Sequence, residues 1–310
     1  ADIFLIKMDS DGNVLWVKTA GGSGGDLPDA MDVDASENVY ISGLFQSTCD
    51  FGGGFQLTST GGNEAFIAKY NSSGTIQWAI PSAYGTNNER TSALTIGTNG
   101  KIYVAGMSKS SSFTVGDGSN GDTYTNADGI TDLFLACYQN NGTYSWSEQI
   151  PGDNDKSIFK AIAVDNSNNV YVGGALLGTL TIGGTSYTSS GNGDIILVKA
   201  SSVDGSVIWV RKGGSPADDQ LNSIITDDDY TYIAGYIQGT GTIDSTATLQ
   251  SSTFTTEGGN DIFVAKYNRE GRLLWKESIG STGDDVGYGL RIKNNVLITT
   301  GYFSNTINFN

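Results

Sequence analysis

This chain of 310 residues has 43 glycines, 4 prolines and 38% hydrophobic residues, which is too apolar for disorder and too glycine-rich for a helical bundle. Its formal charge of −16 disfavours phosphate backbones and anionic headgroups, which are recognised by clustered Lys and Arg. With no histidine, Ser-His-Asp and Cys-His catalysis, His-based zinc sites and a histidine pH switch are all excluded.

The first predicted element is the apolar run Asp2-Ile-Phe-Leu-Ile-Lys7, a strand by its length and composition. The run returns at Glu64–Lys69, Asp132–Cys137, Asp194–Lys199 and Asp261–Lys266, in steps of 62, 68, 62 and 67 residues. A short turn, Asp9-Ser-Asp-Gly-Asn13, leads to a strand carrying Trp16, and glycines in the equivalent turns suit the positive φ of a hairpin. All five tryptophans hold this place: Trp16, Trp78, Trp146, Trp209 and Trp275. A large flat side chain there is read as packing between neighbouring units.

The next strand begins on a small residue (Ala30, Ala93, Ala161, Ser223, Gly289). It is followed by one running through Tyr40, Tyr103, Tyr171, Tyr232 or Leu297 to a glycine, at Gly43, Gly106, Gly174, Gly235 and Gly301. A variable loop of roughly 20 residues then leads to the next apolar run. The pattern predicts an all-β chain without helices, one domain over 1–310, in which five copies of a four-stranded unit form a β-propeller. The chain opens on the third and fourth strands of a unit and stops after the first and second, near Thr306-Ile-Asn-Phe309. Strands from both termini are therefore expected to complete the fifth blade and close the ring. Neither an initiator Met nor a signal peptide opens the sequence, which reads as a mature product or an excerpt of a longer chain.

With Ala161-Ile-Ala-Val-Asp-Asn-Ser-Asn-Asn-Val-Tyr-Val-Gly-Gly174 followed by Asp194-Ile-Ile-Leu-Val-Lys199, the unit resembles the SBBP β-propeller repeat over essentially the whole chain. That resemblance implies a secreted or surface protein of several domains and brings no catalytic residues with it. The last copy departs from the repeat, with Lys293-Asn-Asn295 in place of an Asp-led turn.

An acid precedes the first strand of each copy: Asp26, Glu89, Asp155, Asp219 and Asp285. If they converge on one rim they would hold a cation such as calcium or accept hydrogen bonds from sugar hydroxyls, whereas as turn residues they would bond their own backbone. Glycoside hydrolysis would need two inequivalent carboxylates, and these look like copies of one position. Asp9–Asn13 starts like a calcium loop but has Ala20 at its twelfth place, so it is read as a hairpin turn. The insert Gly116–Asp122, continuing to Asp128, would wrap calcium or remain a flexible loop. Asn71 and Asn141 open glycosylation sequons on equivalent hairpin tips. Cys49 and Cys137 hold inequivalent positions and give no disulfide framework.

The expectation is a non-enzymatic extracellular propeller that presents variable loops on a rigid ring, as an interaction or structural module of a surface protein or assembly. Its partners would be proteins, surface glycans and other domains of the same chain, without nucleic acid or membrane insertion. A lectin-like glycan-binding propeller is the alternative, and a carbohydrate-active enzyme the third class.

Overall fold

The computed structural model describes residues 1–227, 229–243 and 252–307, and among them there is no helix. The chain divides into two compact units, Ala1–Gln149 and Ile150–Asn310.

The first unit contains β1 (Ile3–Met8), β2 (Val14–Gly22), β3 (Leu27–Val33), β4 (Val39–Asp50), β5 (Gln56–Tyr70), β6 (Ile76–Gly85), β7 (Glu89–Ile96), β8 (Ile102–Ser108), β9 (Ser112–Gly116), β10 (Gly121–Thr125), β11 (Asp132–Tyr138) and β12 (Tyr144–Ile150). The second contains β13 (Ile158–Val164), β14 (Val170–Leu176), β15 (Thr179–Ile182), β16 (Thr185–Thr188), β17 (Asp194–Ala200), β18 (Val207–Gly213), β19 (Gln220–Thr226), β20 (Tyr230–Ile243), β21 (Ser252–Asn268), β22 (Leu273–Ile279), β23 (Val286–Lys293) and β24 (Val296–Tyr302).

The four-stranded unit read from the sequence recurs as β7-β8-β11-β12, β13-β14-β17-β18 and β19-β20-β21-β22, every pair antiparallel. A fourth unit, β3-β4-β5-β6, lies within a larger sheet.

The expected five-bladed ring is not what forms. Among the described residues the strands make six separate sheets of two to eight strands, and none closes into a ring or barrel. Long outer strands explain the uneven sizes. β4 and β5 run on past the repeat, so that Gly21 and Gly22 of β2 pair with Asp50 and Cys49, and Ala83–Gly85 of β6 pair with Phe113–Val115 of β9. These ladders fuse neighbouring units into one eight-stranded sheet, whereas β15-β16 stands apart as its own hairpin and β23-β24 remains two-stranded. Asn308 and Phe309, invoked in the closure, lie outside the described residues.

The marker glycine has a geometric cause. In all five copies the first strand carries a β-bulge just before its small residue, between Pro28/Ala30, Thr91/Ala93, Phe159/Ala161, Leu221/Ser223 and Gly287/Gly289. The bulge bends that strand toward the second. A Cβ on Gly43, Gly106, Gly174, Gly235 or Gly301 would lie 1.9–2.3 Å from a carbonyl oxygen of the first strand. The ladder also corrects one alignment: Arg291 opposes Ile298 as Asp32 opposes Tyr40, so Ile298, not Leu297, holds the tyrosine position of the last copy.

The core is built by alternation along the third strand of each unit. Ile3 and Leu5 of β1 pack with Phe66, Ala68 and Tyr70 of β5, and Ala65 and Ile67 of β5 pack with Phe134, Ala136 and Tyr138 of β11. The second unit repeats the arrangement, with Ile195 and Leu197 against Phe263, Ala265 and Tyr267. Within each compact unit, one face of a third strand thus meets the opposite face of the next.

Candidate functional site

Four of the five acids are closed to solvent. Asp26, Glu89, Asp219 and Asp285 are fully buried, and each accepts hydrogen bonds from groups of its own copy. Asp26 takes the backbone N–H of Gly22 at 2.9 Å, and Asp219 those of Ser215 and Gln238 at 2.6 and 2.8 Å. Asp285 takes the N–H groups of Ser281 and Ser304 at 2.6 and 2.8 Å. Glu89 accepts the hydroxyls of Ser108 and Ser110 at 2.8 and 2.7 Å. Asp155 is exposed, and the buried Ser157 takes the equivalent place, exchanging bonds with the backbone of Leu177. Asp26, Asp219 and Asp285 satisfy amides, and Glu89 hydroxyls, where the chain enters the first strand.

Sequence reading missed their neighbours. The acid that opens the third strand is also buried in four copies, Glu64, Asp132, Asp194 and Asp261, whereas Asp2 is exposed. Burial raises the pKa of Glu89, and repulsion from Glu64 adds to the shift. Asp219 is pushed up to about 6 by burial, with a contribution from Asp194, and Asp261 to about 6 by burial, with contributions from Asp285 and Glu257. Glu89 Oε2, Asp194 Oδ1 and Asp261 Oδ1 have no hydrogen-bond partner. The signal was present in the recurrent acid about 25 residues before the rim acid, which sequence reading used only to mark the period.

The proposed calcium loops are occupied by their own backbone. Asp9 accepts the N–H groups of Asp11 and Asn13, the hairpin turn expected. The insert forms the hairpin β9-β10, and Asp117 accepts the N–H groups of Ser119, Asn120 and Tyr144. Asp122 receives the Tyr144 hydroxyl, and Asp128 the N–H of Ile130. Among the described residues no three His, Cys, Asp or Glu side chains are placed to hold one metal ion. Asn71 and Asn141 lie on hairpin turns whose backbone they bond, and both cysteines are free and buried.

Neighbouring copies are joined at one repeated contact. Trp16 donates its indole N–H to the carbonyl of Ser72 (3.1 Å), Trp78 to that of Asn140 (3.2 Å) and Trp209 to that of Arg269 (3.0 Å), each on the next hairpin turn. Lys7 and Lys199 reach the carbonyls of Ser72 and Arg269, both at 3.2 Å. Lys69 and Lys199 also lie over the rings of Tyr40 and Tyr171, 5.1 and 4.9 Å from the centroids. The turn glycine accommodates the indole: a Cβ on Gly74 or Gly271 would lie 2.8 Å from Trp16 or Trp209.

Beside β1 and β3 an apolar surface is open. Phe4 is 69% exposed although its counterparts Phe66, Phe134 and Phe263 are at most 1% exposed. Ile6, Met8, Met31 and Val33 are exposed in the same way. A groove of about 390 Å³ near the hairpin turns is lined by Asp34, Thr98 and Asn140. A second, of about 340 Å³, is apolar and lined by Leu5, Ile6, Met8, Trp16, Met31 and Val33. In the second unit Val296, Ile298, Tyr288 and Tyr302 are exposed on β23-β24. Sequence alone showed no difference between Phe4 and its buried counterparts.

Fold and surface together define an all-β repeat protein with apolar residues exposed on β1, β3 and β24. No protein-family model matches the chain. Over 318 aligned positions it is 24% identical to Regulatory protein FlaEY of Caulobacter vibrioides, covering 95% of this chain and 32% of that protein. Over 158 positions it is 25% identical to an uncharacterised WD repeat-containing protein of Acanthamoeba polyphaga mimivirus, covering 47% of this chain and 11% of that protein. The chain thus spans about a third or less of the length of these relatives. The expected role, loops presented on a closed propeller ring, falls with the ring.

Proposed function

We propose that this chain is a non-catalytic assembly segment, an ordered series of β-repeats that joins protein to protein through an open sheet face. The observation that carries this reading is the exposure of Phe4, Ile6, Met8, Met31 and Val33 at positions whose counterparts are largely covered by an adjoining repeat. Such a face gains free energy by being covered, roughly 25 cal/mol for each Å² of apolar surface removed from water.

Two observations bear on catalysis. Asp26, Asp219 and Asp285 serve backbone amides, and Cys49 and Cys137 have pKa values raised by burial to about 12 and about 11, far from the thiolate range. The small share of each relative that the chain spans supports a place within a longer protein, and the acidic charge supports protein partners over nucleic acid. An extracellular setting rests on the resemblance stated above. Sedimentation velocity over a wide concentration range tests the reading: the chain self-associates, and Met31→Asp, on an exposed position, abolishes association without loss of β-sheet signal. Monomers at every concentration, with no loss of apolar dye binding in Met31→Asp, would sink it.

A further inference from the structure

One joint between neighbouring repeats brings an amine onto a carboxamide. Lys69 of β5 donates from Nζ to Oδ1 of Asn140, which lies 71 positions along the chain on the turn between β11 and β12. Asn140 donates from Nδ2 to the Tyr40 hydroxyl at 2.9 Å and to the Gly100 carbonyl at 3.3 Å, and the Tyr40 hydroxyl donates to Asp34 Oδ2 at 3.0 Å. The carboxamide is thus held at both ends, with an amine at its oxygen and a hydroxyl and carboxylate behind its nitrogen. Lys69 is buried over the ring of the fully buried Tyr40. That burial lowers the pKa of its amine, against the opposing pull of nearby Asp34. Nothing in the repeat itself requires this pairing. At the corresponding joints Lys7 and Lys199 reach backbone carbonyls, of Ser72 and Arg269, and neither turn residue carries a carboxamide.

We propose that Lys69 and Asn140 form an isopeptide bond, a covalent link between neighbouring repeats of the first compact unit. Two groups held in contact react without the cost of being brought together, and a desolvated lysine is a competent nucleophile. The nearby acid takes the first proton; its equivalent in the second unit, Asp165, lies 3.5 Å from Lys199 Nζ.

The step balances within the chain. Lys69 Nζ gives one proton to Asp34 and bonds to Asn140 Cγ while the C=O electron pair moves onto Oδ1. The C=O then re-forms as the Cγ–Nδ2 bond breaks. Nδ2 takes a second proton from Nζ and the one held by Asp34, and leaves as ammonium. The Tyr40 hydroxyl, bonded to both Asp34 and Nδ2, lies on the path of that last proton. One Nζ–Cγ bond replaces one Cγ–Nδ2 bond, Asp34 is again a carboxylate, and nothing is oxidised or reduced. Asn140 is exposed at the groove of about 390 Å³ that Asp34 and Gly100 also line, so the ammonium has a way out. The bond fixes β5 to the turn after β11 and restricts the unfolded chain as a disulfide would, in a protein whose two cysteines are free.

Intact-mass and tandem mass spectrometry of the full chain test the bond. The expected result is a wild-type chain lighter than its sequence by one ammonia, a branched peptide joining Lys69 to Asn140 after digestion, and the full sequence mass in Lys69→Arg and in Asn140→Ala. A succinimide at Asn141-Gly142 also costs one ammonia, so a deficit that persists in Lys69→Arg without a branched peptide overturns the inference. A folded wild-type chain that keeps its full sequence mass after prolonged incubation overturns it as well. That measurement needs no variant, so it decides the question even if Lys69→Arg fails to fold.

Discussion

The indole N–H of Trp78 donates to the carbonyl of Asn140, 62 positions along the chain and 3.2 Å away, on the hairpin turn of the adjoining repeat. The equivalent bond of Trp209 to Arg269 sits in the second unit. Trp209→Phe keeps most of the apolar contact and loses the bond, so it should destabilise by about 1 kcal/mol. Trp209→Ala also opens a cavity and should cost about 3 kcal/mol. Urea unfolding followed by circular dichroism measures both, and unchanged stability in Trp209→Phe would mean that the bond contributes nothing.

Glycines at two kinds of position should differ sharply. Gly235→Ala would place a Cβ 1.9 Å from the Gln220 carbonyl, so it should cost more than about 4 kcal/mol or prevent folding. Gly12 has φ +85° but open space around it, so Gly12→Ala should cost only about 1 kcal/mol. Expression yield and thermal midpoint report the contrast.

Buried acids set the direction of one pH effect. Asp219 and Asp261 have folded pKa values of about 6, raised from 3.8, so the folded chain binds their protons more tightly than the unfolded chain does. The stability this contributes is fully present below about pH 4 and is lost as pH rises through about 6. Asp219→Asn removes its share, and the difference in unfolding free energy between wild type and variant should change by about 2–3 kcal/mol from pH 7 to pH 4. A difference independent of pH would place the Asp219 carboxyl in the ordinary range.

Neither cysteine should react with a thiol reagent in the folded protein. Cys49 is buried beside Asp26, and Cys137 takes a strand position held by lysine in the other four copies. Modification should appear only with unfolding. Rapid labelling of Cys49 under native conditions would contradict the packing of β4 against β1 and β5.

Repetition made much of the fold legible. The apolar runs, the tryptophans and the marker glycines gave the four-stranded unit, because each occupies a place where one side chain, or none, fits the neighbouring copy. What the period does not encode is how far the outer strands continue. The pairing of Gly22 with Cys49, and of Tyr84 with Thr114, depends on variable segments that differ between copies, and these pairings fuse sheets that the repeat pattern draws as separate blades. Four of the acids hold one place in the repeat, whereas Ser157, not Asp155, holds it in the third copy, and only their depth shows which groups they serve. Exposure of Phe4 was invisible for the same reason: it is a property of what lies beside the residue.

Hydrogen exchange of β1 and β3, compared with β14 and β17, tests the open face most directly. In dilute protein β1 and β3 should exchange quickly while β14 and β17 stay protected, and concentrating the sample should slow β1 and β3. Strong protection of β1 and β3 at every concentration would contradict the account, because that face would then already be covered in the single chain.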